Sequence, residues 1–138
     1  SSEEEDVLAD ARRVMVLVDT SVWIRFLRAD AKVLAPLHRL LLDESVLGHD
    51  LVEGELFIGD RGGRAALIAD YRMMDRLPVV AHEEVMEFAK AHRLHGLGLS
   101  LVDVHLLAAT IVAGATLWTA DRALRDTAEG LGCAHEPS

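Results

Sequence analysis

Val14-Met15-Val16-Leu17-Val18 is an unbroken run of five apolar residues, and Asp19 follows it directly. A short continuous run of this kind is the pattern of a strand buried on both faces of a parallel sheet. A carboxylate has no packing reason to stand at its end, since a buried charge costs several kcal/mol unless something compensates it. The same pattern recurs at Ala115-Thr116-Leu117-Trp118-Thr119, with Asp121 two residues beyond. In open α/β sheets, ligands bind outside the carboxyl ends of the strands. Two acids at two strand ends therefore predict one shared crevice.

The segments between these strands alternate in period. After Asp19, either Thr20 or Ser21 supplies a cap for a helix over 22–28. Leu37, Leu40 and Leu41 set one face of a helix over 34–43, and 45–48 reads as a short strand. Asp50 is placed to cap a helix that runs to Ile58 and stops at Gly59. Gly59-Asp60-Arg61-Gly62-Gly63-Arg64 is a loop carrying two arginines, followed by a helix over 65–74 and a weak strand at Val79-Val80. A helix over 83–92 precedes Gly96 and Gly98. Ser100 then caps a helix through Ala113 that is apolar almost all round, which predicts a central position. A last helix over 122–130 leads to an edge strand at Cys133-Ala134-His135. Strands and helices in alternation specify an α/β sandwich around a mainly parallel sheet.

At 138 residues the chain fits one domain, read here as 14–138, behind an acidic extension over 1–13 to which no role is assigned. Its 51% hydrophobic and 27% charged content is that of a folded domain. The apolar runs fall short of the ~20 residues that a membrane span needs. The acidic opening lacks the basic-then-apolar pattern of a secretory leader, so a cytoplasmic protein is expected. The lone Cys133 excludes an internal disulfide and a cysteine-based zinc site. A net charge of −9 excludes a simple basic nucleic-acid coat. Among the basic residues, twelve arginines stand against two lysines, Lys32 and Lys90, and arginine is the better planar partner for phosphates.

Two further acids lie among apolar residues. Asp103 has Leu106 and Leu107 at three and four positions on, so its face is buried or lines a cleft. Glu55 shares a stripe with Leu51, Val52 and Ile58, whereas Glu53 shares a more polar one with Asp50 and Asp60. Glu55 is thus expected to face inward and Glu53 water. Carboxylates gathered in one crevice repel one another unless a cation neutralises them. An all-oxygen donor set favours a hard ion, Mg²⁺ or Mn²⁺, over zinc. Such an ion suits phosphodiester chemistry.

Four segments, in order, resemble the motifs of PIN domains, specifically the VapC-type toxins of bacterial toxin–antitoxin pairs: residues 15–24 around Asp19, 54–59 around Glu55, 101–108 around Asp103 and 117–124 around Asp121. The resemblance runs from Val14 to the C-terminus. It implies a PIN-like three-layer α/β/α sandwich and a Mg²⁺- or Mn²⁺-dependent endoribonuclease. Asp19, Glu55, Asp103 and Asp121 would be its catalytic and metal-holding acids, with Thr20, Ser21 and Thr119 as supporting hydroxyls. It also implies a metal-activated water as nucleophile, a homodimer, and a small antitoxin that covers the groove. The chain departs from some members in having Arg122, Ala123 and Leu124 after Asp121, so that Asp126 is the first further acid.

Arg25, Arg61, Arg64 and Arg122, with Arg28 and Arg125, are candidates for holding RNA phosphates around an acidic centre. His92 and His95 precede a glycine and read as a solvated helix end. His105 reads as a packed histidine, and Trp23 and Trp118 as core. Alternative readings are a phosphoryl-accepting receiver-like domain, disfavoured because neither lysine falls at a strand end, and a non-catalytic PIN-like RNA-binding module. A serine hydrolase built on Ser21 lacks the G-x-S-x-G elbow.

Overall fold

The computed structural model describes residues 14–137, so the extension proposed for 1–13 lies outside the described residues. Its strands are β1 (Val16–Val18), β2 (Val46–Leu47) and β3 (Thr116–Trp118). Its helices are α1 (Thr20–Leu27), α2 (Ala31–Leu42), α3 (Asp50–Ile58), α4 (Ala65–Tyr71), α5 (His82–Ala91), α6 (Leu101–Ala113) and α7 (Arg122–Gly130). The sheet is wholly parallel in the order β2-β1-β3.

Of the opening run, Val16 to Val18 form the strand as read, whereas Val14 is 57% exposed and lies outside it. Val16, Leu17 and Val18 are each at most 1% exposed, which requires cover on both faces of the central strand. Register does the positioning. Val18 pairs with Trp118, and the Asp19 N–H donates to the Trp118 carbonyl at 2.8 Å. The residues that follow the two strands, Asp19 and Thr119, are thereby delivered side by side at the carboxyl edge.

Trp23 on α1 is fully buried and meets the buried Tyr71 ring edge-on at 5.8 Å, while Trp118 is 5% exposed. Both tryptophans are core. Burying side chains of this size contributes roughly 1.5–3 kcal/mol each. The middle of α6, Leu106 to Thr110, is buried as expected. Its last turn is not, since Val112 is 77% exposed. Gly114 ends that helix at φ 66°, a left-handed cap that glycine adopts without a Cβ penalty.

Several boundaries differ from the sequence reading, for local reasons. The Asp19 carboxylate, rather than the hydroxyl of Thr20 or Ser21, accepts from the first helical N–H. Asp30 caps α2, which begins at Ala31 rather than at 34 and already buries Val33. His49 caps α3 through Nδ1, and Asp50 is the first helical residue. Val79-Val80 forms no strand. Gly48 instead bridges Arg76 in parallel, with its N–H on the Asp75 carbonyl and the Leu77 N–H on its own. The 133–135 segment contributes one parallel bridge, Leu117 to Ala134.

Candidate active site

Asp19 is 6% exposed and its carboxylate is held on every side. Oδ1 accepts the Thr20 N–H at 2.8 Å, and Oδ2 accepts both the Ser21 and the Thr119 hydroxyls at 2.8 Å. Those hydroxyls accept in turn. The Ala120 N–H donates to Ser21 Oγ and the Asp121 N–H to Thr119 Oγ1, each at 3.0 Å. Ser21 and Thr119 thus staple the turn after β3 onto the end of β1. The third hydroxyl points the other way: Thr20 Oγ1 donates to Glu55 Oε1 at 2.8 Å, tying α3 to the same edge.

The remaining two acids enter on helix N-termini. Ser100 and Asp103 form a reciprocal capping box at the start of α6, the Ser100 N–H donating to Asp103 Oδ2 at 2.9 Å. Asp121 is the N-cap of α7, accepting the Leu124 N–H at 2.9 Å. With Asp19 capping α1, three helices present their partially positive ends here, and each end stabilises an acid by ~0.3–1 kcal/mol. One oxygen of Asp103 and one of Asp121 is engaged in capping, which leaves the other available.

Charge couples the set. Burial, and then the neighbouring charges of Asp19 and Asp103, push the Glu55 carboxyl above its usual range, against the hydrogen bond from Thr20. Burial likewise raises Asp103; the Ser100 hydrogen bonds oppose this, and the charges of Asp19 and Asp121 add to it. No ion pair offsets these charges among the described residues, whereas Glu53 is ion-paired to Arg76 and Arg72. The sequence expectation for these two glutamates is corrected accordingly. Glu53 is half-buried in a cationic cluster, Glu55 is exposed on the crevice rim, and Ile58 from the supposed inward stripe is 84% exposed. A nine-residue helix against a small sheet buries only a narrow stripe, here Val52 and Leu56.

The donor chemistry fits a hard cation: carboxylate oxygens, hydroxyls in support, and repulsion that a cation would relieve. Among the described residues, no three of these side chains stand close enough to hold one ion directly.

The arginines separate. Arg25 and Arg61 are exposed, Arg61 in a turn closed by the Gly62 N–H on Asp60 Oδ1. Arg64 donates to the Leu56 carbonyl at 3.0 Å and lies so close to Gly59 that a Cβ there would stand 3.1 Å from its guanidinium. It therefore caps the end of α3 through Nη1. Arg122 is exposed, 3.9 Å from Asp126. His92 and His95 are exposed as read, and His105 is half-buried beside His82. Sequence reasoning missed the capping role of His49 and the Arg76 cluster. The Ser100-x-x-Asp103 box was visible as a pattern.

A parallel sheet with acids at the ends of β1 and β3, joined by acids from α3 and α6, is the arrangement of the PIN fold. The chain belongs to the PIN domain family, which matches residues 16–130. Its similarity to Ribonuclease VapC32 of Mycobacterium tuberculosis, in strains CDC 1551 / Oshkosh and ATCC 25618 / H37Rv, is 42% identity over 113 residues, covering 80% of this chain and 88% of each relative. Among solved structures, PAE2754 from Pyrobaculum aerophilum shares the fold with a TM-score of 0.56 at 21% identity, covering 88% of this chain and 94% of that one. Family membership sets aside the receiver-like alternative. Among the described residues, no helix is long and apolar enough to cross a membrane.

Proposed function

We propose that this protein is a divalent-metal-dependent endoribonuclease, the toxin of a VapBC-type toxin–antitoxin pair. The observation that carries the reading is that the β1–β3 register and three hydroxyls bring Asp19, Glu55 and the Asp121 turn to one edge, where the charge of Asp19 reaches both Glu55 and Asp103, with no ion pair to these acids among the described residues. The naming of a 42% identical relative as a ribonuclease supports it.

Asp19, Glu55, Asp103 and Asp121 would hold Mg²⁺ or Mn²⁺, whose chemistry when bound is to stabilise charge on a phosphoryl oxygen and to acidify water. The residues' own tasks follow from their bonds. Ser21 and Thr119 orient the Asp19 carboxylate, and Thr20 aims Glu55. Asp103 and Asp121 each keep one carboxylate oxygen fixed by a helix cap, which holds the side chain in place. Arg25 and Arg61 would hold RNA phosphates flanking the scissile one. In the hydrolysis, the oxygen of water bonds to phosphorus, the bond to the 3′ oxygen breaks, and the products carry a 5′-phosphate and a 3′-hydroxyl.

The antitoxin partner is supported by Phe57 and Ile58, 70% and 84% exposed on the helix that carries Glu55. Apolar surface of this kind beside a site marks an interaction face. A homodimer is part of the same reading. The test is incubation of purified protein with single-stranded and structured RNA, with and without Mg²⁺. Metal-dependent cleavage lost in Asp103→Asn is expected. Metal-independent cleavage, or full activity in that variant, would overturn the proposal.

A further inference from the structure

Immediately past Asp121 a cleft of about 720 Å³ opens between α7 and the connection from α5 to α6. Its walls include His92 and Leu97 on one side and Arg122, Ala123, Asp126 and Thr127 on the other. The cleft lies next to the acids because the connection that forms it crosses the foot of α7 at Gly98, where a Cβ would stand 3.8 Å from that of Ala123, and then enters Ser100 and Asp103. From that crossing the cleft runs along α7 to Gly130 and Leu131, with its Arg122 end next to Asp121 in the chain.

Its chemistry is specific. Arg122 and Asp126 lie one turn apart on α7, with 3.9 Å between guanidinium and carboxylate, and both remain largely exposed. At that separation, neither group is saturated by the other. Thr127 spends its hydroxyl proton on the Ala123 carbonyl, so it offers only an acceptor inward. The Leu97 and Ala123 walls are apolar, and the His92 ring, 4.8 Å from Phe88, offers a flat face. A planar group thus finds a stacking surface, a fork of donors and a fork of acceptors. Among the RNA bases, guanine alone sets two adjacent donors, N1–H and N2–H, beside two adjacent acceptors, O6 and N7. Arginine reads O6 and N7 bidentately, and a carboxylate accepts from the donor edge.

We propose that this cleft is a guanine subsite that sets where RNA is cut, with Asp126 taking N1–H and N2–H and Arg122 taking O6 and N7. Arg122 then contacts a base, not a phosphate. The inference rests on the nuclease reading and adds to it a sequence preference at one fixed position beside the scissile phosphate.

The experiment is cleavage of a random-sequence single-stranded RNA pool in Mg²⁺, with sequencing of the new ends, for the wild type, Asp126→Ala and Thr127→Trp. The wild type is expected to enrich guanine at one flanking position. Asp126→Ala, an exposed truncation that leaves the core intact, is expected to flatten the preference, and Thr127→Trp to flatten it by filling the cleft. In an oligonucleotide carrying that guanosine, replacement by inosine removes N2–H and should lower kcat/KM about tenfold in the wild type, as for one charge-assisted hydrogen bond, and leave Asp126→Ala unaffected. Cleavage by the wild type with no guanine preference, or a preference that survives in Asp126→Ala, overturns the subsite and leaves the nuclease reading standing. Absence of cleavage by the wild type contradicts the nuclease reading and removes the subsite with it.

Discussion

Glu53 and Glu55 stand two residues apart on α3, and their surroundings treat charge in opposite ways. Glu53 turns toward Arg76, whose guanidinium also binds Asp50 at 2.8 Å and lies 5.6 Å from the Tyr71 ring centroid. Glu55 turns toward Asp19 and Asp103 and meets only the Thr20 hydroxyl. One carboxylate is neutralised from within the chain, while the other is held in a fixed direction and left uncompensated. A protein conserves its own stability in the first arrangement and gives some up in the second. On the proposed reading, the second arrangement is completed by a cation that arrives from outside.

The largest effect should follow from removing that external cation or one of its holders. Chelation, or Asp19→Asn, is expected to lower RNA cleavage ~10³-fold, since a metal ion supplies several kcal/mol of transition-state stabilisation and each 1.36 kcal/mol is tenfold. Initial rates on a labelled RNA, with Mg²⁺ titrated back, check it. On the compensated side the loss is in folding. Arg76→Ala should destabilise the protein by about 2 kcal/mol in urea melts, below the 3–5 kcal/mol of a fully buried broken pair because the cluster is partly solvated.

The two sides should also differ in sign. Asp103→Asn keeps an oxygen for the Ser100 N–H while removing charge, so the metal-free variant should be more stable than the wild type by about 1 kcal/mol. Mn²⁺ should raise the melting temperature of the wild type and not that of the variant. Glu53→Gln, two residues from Glu55, should instead destabilise. The smallest effect is a pH slope. Burial lowers the pKa of His49 below the usual 6.5, against Asp50, with His105 and Arg76 adding to the lowering. A histidine depressed in the folded state binds fewer protons than in the unfolded state, so its contribution is intact above pH 6.5 and is lost as pH falls below it. Urea melts from pH 7.5 to 5.0 should show a steeper loss in the wild type than in His49→Asn, which keeps a side-chain cap for α3.

The strands and their terminal acids were legible because two signals coincide there: an apolar run with nothing polar in it, and a carboxylate where packing has no use for one. Position in sequence then became position in space through the β1–β3 register. The α3 face was misread because a 3.6-residue stripe ranks neighbours along one helix and says nothing of partners elsewhere. The arginine that takes Glu53 lies 23 residues on, and Ile58 is bare because the helix outruns its support. Arg64 donates from Nη1 to a helix end eight residues back, a tie that no sequence pattern signals. His49 reads as a polar residue between strand and helix, and only the fold shows it fully enclosed.

The account is tested most directly by titrating Mn²⁺ into metal-free protein calorimetrically, for the wild type, Asp19→Asn, Asp103→Asn and Glu53→Gln. Saturable binding in the wild type, lost in Asp19→Asn and Asp103→Asn and retained in Glu53→Gln, is the predicted result. Equal binding by all four, or none by the wild type, would contradict it.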